Sequence, residues 1–142
     1  MSTPTKDNTL YLPIKQVYFD QIIAGTKKAE YREVKIGITA NRYLQKNEDG
    51  SYVLNPECTT PGTEYYVDDY NDGHFPFMPK RYKYLHLVVG YNKVRDEALV
   101  EVSDISFEPT RVRGTGKMKF TFWIIAYHLG KVVSLERQKH HD

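Results

Sequence analysis

At 142 residues the chain can build one ordinary domain but has too little left for a second independent core. Hydrophobic residues at 40% exclude global disorder, and 20 basic against 18 acidic side chains exclude a uniformly charged coat while leaving room for a local basic groove. The single cysteine, Cys58, excludes an intrachain disulfide framework. No apolar run is long enough to span a membrane, and no signal-peptide core opens the sequence, so a reducing, cytoplasmic setting without a membrane partner is expected.

Residues 1–9 are polar and are expected to fray. The domain is expected to occupy residues 10–136, with a long insertion at about 37–83 and a polar tail at 137–142. Residues 10–14 read as a short strand. From Gln16 to Ala24 the apolar side chains Tyr18, Phe19, Ile22 and Ile23 fall at helical spacing, which predicts a short helix with one apolar stripe. Gly25 follows where a left-handed cap would end it.

Residues 28–34 read as a strand. Alternation places Ala29, Tyr31 and Glu33 on one face and Lys28, Glu30, Arg32 and Val34 on the other. Two opposite charges on one face require a polar use for it.

Within the insertion, the turn signal at 47–51 predicts a hairpin between Tyr43-Leu44 and Tyr52-Val53-Leu54. A long loop punctuated by Pro56, Pro61, Gly62 and Gly73 follows. The cluster Phe75-Pro76-Phe77 is expected to pack its end down. Residues 84–91, 98–107 and 120–129 read as strands. Gly130-Lys131 then predicts a hairpin into a short strand at 132–135. The pattern implies an α+β fold that is mainly β: a small barrel of about five to seven strands with one or two short helices.

Gly25, Lys27, Glu30 and Arg32 spell G-x-K-x-x-E-x-R, preceded by Ile14-Lys15 and the short helix. This segment, residues 12–32, resembles the ASCH family, relatives of the PUA domain. The resemblance implies a PUA-like barrel whose motif residues line a cleft. PUA barrels bind RNA, and the related EVE and YTH domains hold a modified base. By this resemblance Lys15, Lys27, Glu30 and Arg32 would form the binding site, with RNA or a modified nucleoside as partner. No cofactor and no metal are implied.

The residue chemistry fits such a site. Glu30 and Arg32 stand roughly 6–7 Å apart along the strand. Arg32 can bind phosphate or stack on a base, and Glu30 can accept from an exocyclic amine. The alternative is an Arg–Glu pair that merely closes the barrel mouth. Some small family members are amidohydrolases acting on N4-acetylcytidine, and ribonuclease activity has been attributed to others. If the chain were an enzyme, Lys27 and Glu30 would be its catalytic candidates. However, the hydrolases carry a threonine at the motif position that Glu30 holds here, so their mechanism does not transfer. Glu30 as general base for water is the remaining route. A protein-interaction domain using the insertion is the third reading.

Weaker cues lie elsewhere. Arg111, Arg113 and Lys117, in a loop with Gly114 and Gly116, offer contacts to a phosphate backbone or a solvated turn. Lys80-Arg81-Tyr82-Lys83 interleaves charge with an aromatic. Trp123 and Tyr127 share a strand face and are expected to be core. His86 and His128, within apolar strands, are expected to be hydrogen-bonded core residues. The terminal His140-His141 cannot hold a metal geometry.

Overall fold

The computed structural model describes residues 3–35, 38–56, 75–90, 93–112 and 120–138, without the side chains of 109–112 and 120–122. Its elements run β1 (Thr9–Ile14), α1 (Gln16–Ala24), β2 (Ala29–Val34), α2 (Ala40–Tyr43), β3 (Tyr84–Val89), β4 (Glu97–Val112) and β5 (Phe120–Glu136). Five strands form one sheet in the order β1-β3-β4-β5-β2. Among the described residues the fold is mainly β with two helices, a small α+β arrangement. No helix among the described residues is long and apolar enough to cross a membrane.

The chain divides into two compact units. The first holds residues 1–30, 81–104 and 127–142. Here β1 pairs parallel with β3, and β3 antiparallel with β4. Burial alternates along β1, where Leu10, Leu12 and Ile14 are buried, while the more deeply placed β3 buries Tyr84, Leu85, Leu87 and Val88. Pro13 fits because β1 is an edge strand, where one missing N–H costs little.

Helix α1 forms over the residues its spacing predicts, and Phe19 and Ile22 are its buried pair. Tyr18 leaves the expected stripe and is 42% exposed, because nine residues turn only one narrow face inward. Gly25, at φ 82°, ends the helix. Its N–H donates to the Ile22 carbonyl and the Thr26 N–H to the Gln21 carbonyl, the two bonds of a Schellman cap.

A buried ionic clasp closes this unit. Asp96, 3% exposed, accepts from Gln16 Nε2 at 2.9 Å, from the Gln138 N–H at 2.8 Å and from Arg137 Nη1 at 3.3 Å. Arg137 also donates to Asp20 at 2.6 Å, which raises the guanidinium pKa further, and it lies over the Phe19 ring. The tail is thereby fastened at Arg137 and Gln138.

Strand β5 corrects one expectation. It runs unbroken through Gly130-Lys131 instead of turning there. Space does not require a glycine at this position: a Cβ on it would meet Glu101 Cβ at 3.4 Å and Ser103 Cβ at 3.9 Å, ordinary contact distances. The residue reads as a turn in sequence but lies within a continuous strand.

The second unit holds residues 31–80 and 105–126. Phe75 is its centre, stacked on Phe107 at 4.2 Å and set edge-on to Trp123 at 5.3 Å. Phe77 is buried beside it, as expected for the aromatic cluster. The 47–51 turn forms, with Asn47 N–H donating to Ser51 and the Lys46–Tyr52 bridge behind it. Tyr43 corrects the hairpin's first arm, since it ends α2 instead of a strand.

The Asp49 carboxylate accepts from the Ser51 hydroxyl at 2.5 Å and from its N–H at 2.9 Å, which holds its pKa below 3.8. A depressed folded-state pKa means the turn's contribution is present above the unfolded value and lost as pH falls through the folded one. An NMR titration of Asp49 should therefore give a midpoint below 3.8. A midpoint at or above that value would contradict the turn geometry.

Candidate nucleic-acid interface

The helix α1 and the corner that follows it position the charged motif. Lys15 is the N-cap residue of α1 and is exposed; its carbonyl accepts from the N–H groups of Tyr18 and Phe19. Lys27 follows the glycine cap and is half-buried. Nine helical residues separate the two by about 13 Å of axis. Lys27 nevertheless reaches back along the helix, and its Nζ sits 5.2 Å from the centre of the Tyr18 ring. That contact carries the ammonium toward the first turn, where Lys15 begins the helix. A cation over an aromatic face is attracted by about 0.5–1 kcal/mol when exposed.

The first residues of β2 are tied down through the Lys28 carbonyl, which accepts from the Leu129 N–H at 2.9 Å. Along the strand, Glu30 is 5% exposed and Arg32 is half-buried, while Tyr31 and Glu33 are exposed. Val34 is buried on the same strand face as Glu30 and Arg32. Glu30 and Asp96 are the two buried polar side chains of the described core. Burying a carboxylate costs heavily unless its oxygens are engaged, so residue 30 is not an incidental surface charge.

Sequence reasoning missed Tyr18. Helical spacing assigned it to the core stripe, and only the left-handed turn at Gly25 brings Lys27 back onto its ring. No local signal marks this, because it depends on the path of the chain after the helix. Gly25→Ala should cost about 1 kcal/mol, the penalty of a left-handed backbone for an L side chain. A Cβ there meets nothing within 4 Å, so the cost is in the backbone alone. Urea denaturation measures it, and an unchanged midpoint would refute the cap's role.

Arg111 falls on β4 and Arg113 and Lys117 beyond it; the side chain of the first and the whole of the other two lie outside the described residues. So does most of the long loop with Cys58. Lys80 Nζ donates to the Asn41 carbonyl, and Arg81 and Lys83 are exposed. Trp123 and Tyr127 are buried, as core residues should be.

The chain matches no family model, no curated protein and no solved structure.

Proposed function

We propose that this chain is a PUA-like module of the ASCH type that binds RNA or a modified nucleobase through Lys15, Lys27, Glu30 and Arg32. The observation that carries the reading is the burial of Glu30 on a strand face that also bears the half-buried Arg32. Such a carboxylate accepts from an exocyclic amine, and the guanidinium beside it in sequence takes phosphate or a base plane. Lys27 and Lys15 add positive charge at the helix. Tyr18 and Tyr31, 42% and 46% exposed, offer ring faces for stacking.

Fluorescence anisotropy with a labelled single-stranded RNA tests the proposal, using Arg32→Ala, and Arg32→Lys to separate charge from the planar fork. Weakened binding at unchanged melting temperature supports a ligand contact. Equal losses of stability and binding identify a structural ion pair instead. Incubation with N4-acetylcytidine, with Lys27→Ala as control, tests the hydrolase alternative in the same preparation.

A further inference from the structure

The first unit carries a cavity of about 760 Å³, on residues outside the charged motif. Strand register builds its floor. Tyr11 of β1 lies beside His86 of β3, and His86 opposes Leu99 of β4; Glu97 is one step along, opposite Val88. The N-terminal residues Pro4, Thr5 and Lys6 supply a wall. Asn8 Oδ1 accepts from the Thr5 N–H at 2.7 Å and from Thr9 Oγ1 at 3.0 Å, which closes a turn that presents Thr5 and Lys6. Ser134 and Glu136 of β5 complete the lining.

Two of the lining residues, His86 and Glu97, belong to a polar cluster that Arg95 joins from outside the lining. His86 Nε2 lies 3.5 Å from Glu97 Oε1, and Arg95 Nε lies 3.3 Å from the same oxygen. The Tyr11 ring meets His86 edge-on at 5.4 Å and has the Arg95 guanidinium 5.9 Å from its centre. His86 is thus not the hydrogen-bonded core residue its apolar strand implied; its side chain is 39% exposed. The strand pairing, not the local sequence, sets its surroundings.

The balance of donors and acceptors decides what such a cavity takes. Among the described residues, none donates to Glu97 Oε2, and the side chains of Lys6, Ser134 and Glu136 are not engaged in a hydrogen bond or ion pair. The lining therefore offers carboxylate acceptors from Glu97 and Glu136, an ammonium donor from Lys6, and hydroxyls that do both. An anion would need donors alone, and an organic cation acceptors alone. Hydroxyl groups use both. Tyr11, Ala98 and Leu99 give an apolar floor for the carbon face of a ring. The volume falls within the range of small-molecule sites, roughly 300–1,000 Å³.

We infer that this cavity is a binding site for a neutral polyhydroxylated ring, a monosaccharide or a glycosyl unit, held by Glu97, Glu136, Lys6 and Ser134 over Tyr11. The site is separate from the motif at Lys27 and Arg32 and does not depend on it.

Amide-resolved NMR titration of the full chain tests the inference, with D-glucose, D-ribose and N-acetylglucosamine as probes and inorganic phosphate and benzylamine as charged controls. At least one sugar should shift the amides of Lys6, His86, Glu97 and Leu99 in a saturable way. Glu97→Ala should raise that dissociation constant by about ten-fold, the loss of hydrogen bonds to a charged acceptor. Ser134→Ala, on an exposed position, should weaken binding at unchanged melting temperature, and Arg32→Ala should leave the sugar shifts intact. Shifts produced by phosphate or benzylamine but by no sugar would overturn the inference, as would silence from all five probes.

Discussion

Asp96→Ala is expected to lower the melting temperature by about 10 °C, from a loss of about 3 kcal/mol at roughly 2–4 °C per kcal/mol for a chain of this size. The size of the effect follows from burial. The Asp96 side chain is 2% exposed and is the shared acceptor for Gln16, Arg137 and the Gln138 N–H. Its removal leaves the Gln138 amide and the Gln16 side chain without that acceptor, and each such loss costs about 1–3 kcal/mol. Arg137 suffers less, because it is 46% exposed and keeps Asp20. Arg137→Ala should accordingly cost less than Asp96→Ala. Differential scanning fluorimetry on the two variants checks the order. A shift under about 2 °C for Asp96→Ala would mean that the clasp is not a stabilising element.

The second large effect concerns binding. Replacing both Lys27 and Arg32 with Ala should weaken RNA affinity by about 100-fold at low salt, if each cation neutralises one phosphate. The slope of log Kd against log salt should fall by about 1 for each cation removed, or about 2 for the pair. The salt dependence makes this test discriminating. A variant that merely loosens the fold would lower affinity without a proportionate change in slope. Lys27→Ala carries a further consequence, since it frees the Tyr18 ring that its ammonium covers. Tyr18→Leu should leave the salt slope unchanged and reduce only the stacking part of the affinity.

How legible these features were depends on how local their causes are. Helix α1 and its glycine cap were readable because the period of the apolar residues and the αL turn are properties of ten consecutive positions. The alternation of β2 was readable for the same reason. Gly130 was misread as a turn, since a glycine that permits a reversal and one inside a continuous strand look alike in one dimension. Tyr18 was read as core, because the turn that brings Lys27 onto its ring lies beyond the helix itself. The surroundings of His86 were not legible at all. They depend on a parallel pairing with Tyr11, 75 positions earlier, and on an antiparallel register that sets Glu97 nearby. The Asp96 clasp was hidden similarly: its partners Gln16 and Arg137 lie 80 positions before and 41 after it.

The most direct test of the functional account is to map a ligand onto the chain by NMR, titrating single-stranded RNA and N4-acetylcytidine in turn. The account predicts that one of them shifts the amides of Lys15, Tyr18 and the run from Gly25 to Arg32, and that Arg32→Ala raises the dissociation constant of that response by about ten-fold. Shifts confined to other strands, or a dissociation constant that the substitution leaves unchanged, would contradict it.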